Sequence, residues 1–166
     1  MWFVTEGFAI AFIPKAGTNT FRQWLGQYEV YENDDPRLME YDKRVAFIRH
    51  PVERLTSAYS YFGEKTDRGV PHSVKAPVKL WEEFVDHILK PENVDVHWAP
   101  QSLLIGGKQN IVHRFEDLKD IAPTYVAKPV PWHNKSKHRV VNNYRLPDIY
   151  KYYARDLALW SQAHSL

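Results

Sequence analysis

Apolar positions along the chain fall into two alternating periods. Residues 8–13 form an almost unbroken apolar run that stops at Pro14, after which Phe21, Trp24, Leu25 and Tyr28 recur at helical spacing. This is the pattern of a buried strand, a tight loop and the opening of a helix. The unit then repeats. A second run, residues 45–48, ends at Arg49-His50-Pro51, and Val52, Leu55, Tyr59 and Phe62 follow at helical spacing. Pro51 sits where a first-turn proline is tolerated, because its missing N–H would have had no partner there. A helix is predicted over 80–89, with Trp81, Phe84, Val85 and Ile88 inward and Pro91 beyond its end. Residues 110–115 read as a third strand. The last helix, 147–160, turns Ile149, Tyr152, Tyr153, Leu157 and Trp160 inward. Between these elements lie an acidic stretch (29–35), a long polar loop (63–77), an irregular segment (95–101), an apolar stretch (102–105) and a basic, Pro-rich loop (128–143). Strands alternating with helices predict an α/β fold with a central parallel sheet flanked by helices. No repeat or linker divides the chain, so residues 1–166 read as one domain. Ligands of such sheets sit beyond the carboxyl ends of the strands, where Lys15 and Arg49 both fall.

Composition narrows the function more than the fold. A net charge of +2 argues against a nucleic-acid binder, although basic residues cluster at Lys135-Ser136-Lys137-His138-Arg139. The absence of cysteine excludes a disulfide framework and a thiolate zinc site. No apolar segment has membrane-spanning length and no signal-peptide pattern opens the chain, so it reads as a soluble, cytoplasmic protein. The high aromatic content, with six Trp and ten Tyr, belongs first to the core, though rings also make flat platforms for sugars or bases.

The candidate chemistry begins at the first loop, Pro14-Lys15-Ala16-Gly17-Thr18-Asn19-Thr20. The first N–H groups of a helix lack intrahelical partners and the helix dipole favours an anion beside them. Lys15 adds a full charge, and Thr18 and Thr20 add hydroxyls. The loop is not the nucleoside triphosphate motif G-x-x-x-x-G-K-[ST], because here the lysine precedes Gly17. A plain strand–turn–helix junction with a surface lysine fits the same residues. At the second junction, Arg49 ends its strand, and Arg54 and Ser57 are neighbours three positions apart on the following helix. An arginine fork with a hydroxyl there would grip a second phosphate. The competing reading pairs Arg49 with a carboxylate and makes Ser57 a small packing residue.

Taken in order, these residues resemble a known family. Pro14-Lys15-Ala16-Gly17-Thr18-Asn19-Thr20 is similar to the 5′-phosphosulfate loop of sulfotransferases that use 3′-phosphoadenosine 5′-phosphosulfate (PAPS). Phe47-Ile48-Arg49-His50-Pro51-Val52-Glu53-Arg54-Leu55-Thr56-Ser57-Ala58-Tyr59 resembles their 3′-phosphate motif, closest to the carbohydrate branch with its R-x-P-x-x-R-L-x-S-A-Y pattern. Weaker echoes follow at His97-Trp98, Pro100-Gln101 and Arg114-Phe115-Glu116-Asp117-Leu118, so the likeness runs from about residue 8 to residue 160. The resemblance implies a P-loop-NTPase-like three-layer fold. It also implies that Lys15, with Ala16, Gly17, Thr18, Asn19 and Thr20, holds the phosphosulfate, that Arg49 and Ser57 hold the 3′-phosphate, and that no metal is required. The late basic loop is similar to one that closes over the nucleotide in this family, which makes Lys135 and Ser136 candidates; a bare basic surface loop fits equally.

The acceptor hydroxyl needs a base, and family members use a histidine or a glutamate. His97, in an irregular segment beside Trp98, is the first candidate, since an imidazole suits neutral pH. The acidic stretch offers Glu29, Glu32, Asp34 and Asp35 instead, although a solvated acidic turn explains most of these. The expected function is sulfuryl transfer from PAPS to a hydroxyl of a carbohydrate-type acceptor. The alternatives are a small nucleotide kinase, or a non-catalytic nucleotide- or glycan-binding module on the same fold. The chain lacks the anchor, stem and cysteines of animal relatives in the carbohydrate branch, so their Golgi setting does not carry over and the acceptor's identity stays open.

Overall fold

The computed structural model describes residues 1–69, 74–131 and 141–163. The chain opens with a hairpin, β1 (Trp2–Thr5) and β2 (Phe8–Ala11), joined by Glu6 and Gly7, and a two-residue connection of this kind can only make an antiparallel pair. Gly7 takes the left-handed conformation (φ 91°) that the turn requires. α1 (Thr18–Leu25) follows the loop and stops at Gly26. β3 (Glu29–Tyr31), β4 (Arg44–Ile48), α2 (Pro51–Asp67), α3 (Trp81–Ile88), α4 (Gln101–Ile105), β5 (Ile111–Arg114), α5 (Leu118–Ile121), α6 (Leu146–Tyr152) and α7 (Ala154–Gln162) complete the order.

The sheet runs β3-β1-β2-β4-β5, with β2, β4 and β5 parallel to their neighbours in that set and β1 antiparallel to both β2 and β3. The expected parallel sheet is therefore corrected to a mixed one. The reason is the hairpin: Trp2, Phe3 and Val4 form a buried strand ahead of the expected first one, and the short β3 pairs onto its outer edge. β2 and β4 remain adjacent and parallel, so the ends that carry Lys15 and Arg49 lie side by side.

Both sheet faces are buried, and strand alternation divides the side chains between them. Trp2, Val4, Ala9, Ala11, Ala46 and Ile48 face one way, against Ile105 of α4 and Leu159 and Trp160 of α7. Phe3, Phe8, Ile10, Val45 and Phe47 face the other way, against Phe21, Trp24 and Leu25 of α1 and Leu118 and Ile121 of α5. Helices thus cover both faces of the sheet. An eight-residue helix such as α1 has little stability of its own, and burying Phe21 alone adds roughly 2–3 kcal/mol. A third cluster, independent of the sheet, packs α2, α3 and α6 through Leu55, Phe62, Phe84, Ile88 and Ile149.

Two other expectations change, and a stretch read only as apolar gains an element. The helix after Arg49 does not end near Phe62 but runs through a buried Gly63 to Asp67. The apolar stretch 102–105 belongs to a short helix. The last helix breaks at Tyr153, whose ring is buried and whose hydroxyl donates to the carbonyl of Trp98. Among the described residues, no helix is long and apolar enough to cross a membrane.

Candidate active site

The loop between β2 and α1 is bent by two left-handed residues, Lys15 (φ 67°) and Gly17 (φ 88°). For lysine this backbone is unfavourable by about 1 kcal/mol, strain of the sort that persists where surrounding contacts enforce it. Those contacts are local: Ala16 N–H and the Thr18 hydroxyl both donate to the Ile13 carbonyl, at 3.1 and 3.0 Å. Gly17 is required twice over. Its φ suits glycine, and a Cβ there would lie 2.6 Å from the Phe115 ring. Gly17 occupies the N-cap position of α1 with no side chain capping the helix, so the end of the helix is left for an external acceptor. The hydroxyl and amide residues are not equivalent donors: Thr18 is engaged by the loop itself, Thr20 is buried, and Asn19 is exposed.

Lys15 Nζ lies 3.4 Å from the centre of the Tyr61 ring and 5.7 Å from that of Phe62, both on α2. Lys65 Nζ approaches the same Tyr61 ring, at 4.6 Å. Burial, reinforced by the like charges of Lys65 and Arg49, brings the Lys15 ammonium down to about 7. The group is thus poised so that an arriving anion would favour its charged form.

Arg49, at the end of β4, reaches over the loop and donates from Nη1 to the Lys15 carbonyl at 3.3 Å. Its nearest carboxylate, Glu53, is 3.8 Å away and mostly exposed, so the guanidinium has unused donors. Burial lowers its pKa, with Glu53 and then Glu116 opposing. A cleft of about 340 Å³ beside it is lined by Arg49, Glu53, Phe115 and Glu116.

The backbone of Arg49 is fixed by a buried polar relay. Gln101 accepts from Arg49 N–H (3.1 Å) and donates to the Arg49 carbonyl (2.8 Å). Asp156, fully buried on α7, accepts from the backbone N–H groups of Gln101 (2.7 Å) and Ser102 (2.8 Å), the first two residues of α4. An anion at a helix start is favoured by unpaired N–H groups and dipole together. The sequence reading missed both roles. Pro100-Gln101 stood out only as a weak echo. Asp156 had a signal: it falls seven positions after Ile149 and three after Tyr153, on the inward stripe of the last helix, where a carboxylate must have partners.

Arg54, three positions before Ser57, is engaged within the fold. Its buried guanidinium donates to three carbonyls: Nε to Pro14 (2.9 Å), Nη1 to Ala99 (2.8 Å) and Nη2 to Val96 (2.9 Å). Burial lowers it to about 10, so it stays charged at neutral pH. Ser57 is nearly buried on the α2 face that also carries Arg54 and Tyr61, three positions before and four after it, and that face meets the Lys15 loop.

His97 lies near Lys15 across one ring. Its imidazole packs edge-on against Phe62, with ring centres 4.9 Å apart, and Phe62 is the second aromatic neighbour of Lys15. Asp95 Oδ1 sits 2.6 Å from His97 Nδ1 and also accepts from His97 N–H. In the neutral tautomer that donates from Nδ1 to this carboxylate, Nε2 is left as the acceptor, the arrangement a base needs. In the acidic stretch, Asp35 already accepts from the backbone and guanidinium of Arg37, and Glu29 lies on the edge strand β3. Lys135 and Ser136 lie outside the described residues.

A model of the sulfotransferase family matches residues 9–128, which includes the Lys15 loop, Arg49, Arg54, Ser57 and His97. No curated protein and no solved structure matches the chain.

Proposed function

From the chain's membership of the sulfotransferase family, we propose that it moves a sulfuryl group from PAPS to a hydroxyl of a carbohydrate-type acceptor, on a fold of the P-loop type. The observation that carries this reading is the pairing of two cationic strand ends. Lys15 and Arg49 follow the adjacent parallel strands β2 and β4, Arg49 reaches the Lys15 backbone, and the uncapped start of α1 lies between Lys15 and the body of the helix. The carbohydrate assignment rests on the likeness of residues 47–59 to the carbohydrate branch.

PAPS supplies a sulfuryl group already activated by a phosphate leaving group. In this reading Lys15 and the α1 N–H groups hold the 5′-phosphosulfate, and Arg49 with Ser57 holds the 3′-phosphate. His97 Nε2 takes the proton from the acceptor hydroxyl as its oxygen bonds to sulfur. Lys15 stabilises the charge that develops on the phosphate oxygen as the S–O bond breaks, leaving a sulfate ester and adenosine 3′,5′-bisphosphate. Positioning and charge stabilisation supply the acceleration.

Calorimetric titration with adenosine 3′,5′-bisphosphate, beside ATP and adenosine 5′-phosphate, tests the donor. The expected result is binding that needs the 3′-phosphate and weakens about 100-fold in Arg49→Ala, the loss of a charge-assisted contact worth roughly 1.5–3 kcal/mol. Preference for ATP returns the protein to the kinase reading. Bisphosphate binding without turnover on any hydroxyl acceptor leaves a binding module.

His97→Ala is expected to lower kcat by about 100-fold or more, the usual contribution of a positioned base, with bisphosphate affinity unchanged. Turnover near that of the unaltered protein would move the base to Glu29, Glu32 or Asp34.

A further inference from the structure

Two segments that must cooperate in the proposed reaction come from distant parts of the chain. The first is the Lys15 loop. The second is the 95–101 segment, which carries His97. Each has internal fastenings of its own. The loop closes on the Ile13 carbonyl through Ala16 and Thr18. The other segment closes through Ala99 N–H to Asp95, the Trp98 indole to the Asn93 carbonyl, and Tyr153 to Trp98. Among the described residues, Arg54 is the side chain that hydrogen-bonds to both, with one donor on Pro14 and two on Ala99 and Val96. The guanidinium is planar and rigid, so three bonds in its plane fix distance and angle together. Among the described residues no carboxylate pairs with it at salt-bridge distance, so it meets carbonyl dipoles rather than an opposite charge. A buried arginine of this kind is an expensive way to fill space, since its charge loses hydration and a well-packed apolar residue would be less costly.

We propose that Arg54 is a positioning residue that holds the Lys15 loop and the His97 segment at one fixed spacing, and thereby sets the distance between the donor's sulfur and the base. The proposal rests on the sulfuryl-transfer reading given above. A shift of about 1 Å between reacting groups can reduce turnover about 100-fold, so a spacer acting only through geometry has a large kinetic effect. Because the loop keeps its own fastenings and its bond from Arg49, donor binding should largely survive the loss of Arg54.

The test compares Arg54→Lys and Arg54→Met with the unaltered protein. Three readouts are taken: bisphosphate affinity by calorimetry, kcat normalised to the calorimetric fraction of binding-competent protein, and amide hydrogen exchange over residues 13–18 and 95–101. The expected result is bisphosphate affinity within about threefold and normalised kcat down about 100-fold in Arg54→Met. Arg54→Lys, which keeps a charge and some of the donors, is expected to lie between. In the unaltered protein, bisphosphate bound at the loop also slows exchange over 95–101, and in Arg54→Met that remote slowing disappears. If affinity and normalised turnover fall together, or the remote slowing persists in Arg54→Met, Arg54 is not the spacer. Should Arg54→Met fail to fold, the same criteria apply to Arg54→Lys. If the unaltered protein binds no bisphosphate, the sulfuryl-transfer reading fails first and the spacer falls with it.

Discussion

Lys15→Met is expected to lower kcat about 1,000-fold or more, because in the proposed reaction no other cation in the loop can stabilise the leaving phosphate oxygen. The same variant should reveal a proton. In the unliganded protein burial holds the Lys15 ammonium at about 7, and an anionic donor raises it again. Above pH 7 the neutral lysine must therefore take up a proton as the donor binds, and bisphosphate affinity falls by up to about tenfold per pH unit as pH climbs from 7 towards 9. Calorimetry in buffers of different ionisation enthalpy reads that proton directly, and in Lys15→Met the dependence should flatten. Without ligand, the lysine has the opposite effect on folding. Its folded pKa of about 7 lies below the ordinary 10.5, so between these values the unfolded chain binds more protons and stability rises with pH. The destabilisation is fully present below pH 7. Lys15→Met should accordingly melt higher than the unaltered protein at pH 6, with the difference narrowing towards pH 10. An affinity profile independent of pH in the unaltered protein would mean that Lys15 is not the group that meets the donor's charge.

Asp156→Ala is expected to cause a large loss of stability. The carboxylate is fully buried and accepts from two backbone N–H groups at the start of α4. Alanine leaves both without an acceptor in a dry environment, at about 1–3 kcal/mol each. For a chain of this size a total near 4 kcal/mol corresponds to a fall in Tm of about 8–16 °C. Loss of the carboxylate also frees Gln101, the residue that clasps the backbone of Arg49, so bisphosphate affinity should fall although Asp156 touches no ligand. Asp156→Asn, which keeps one acceptor oxygen, should lie between. Thermal melts with parallel bisphosphate titrations check both parts; a melting point within 2 °C of the unaltered protein would show that α4 is held by other means.

The sequence disclosed the parts of this molecule that are written locally. The Lys15 loop was legible because an apolar run, a proline and a helical period meet within a dozen residues. The face of α3 was legible for the same reason: Trp81, Phe84, Val85 and Ile88 are all buried. β1 was missed because four residues ahead of another apolar run look like an extension of it, and only the Glu6-Gly7 turn divides them. β3 was missed because a polar three-residue edge strand has too little alternation to register. The site divides along the same line. Arg49 and Lys15 could be read as a pair from repeated strand ends. The fastening of Arg49 by Gln101 and Asp156 joins residues about fifty positions apart and leaves no period in the sequence, and three carbonyl bonds to Arg54 are invisible to any pattern of side-chain types.

The relay from Asp156 also bears on where the protein can be cut. The stretch that identifies the family ends at residue 128, and Lys15, Arg49, Ser57 and His97 all lie inside it. Asp156, Tyr153 and Trp160 lie beyond it, yet they hold the start of α4, the Trp98 carbonyl and the Glu116 carboxylate. A fragment trimmed to the recognisable region would carry Lys15, Arg49, Ser57 and His97 without the contacts that hold the start of α4 and the Trp98 carbonyl, and without Lys135 and Ser136. Expression boundaries, domain transplants and searches for shorter relatives should therefore run through the terminal helix, since the contacts that hold the candidate site reach further along the chain than the signature by which the family is found.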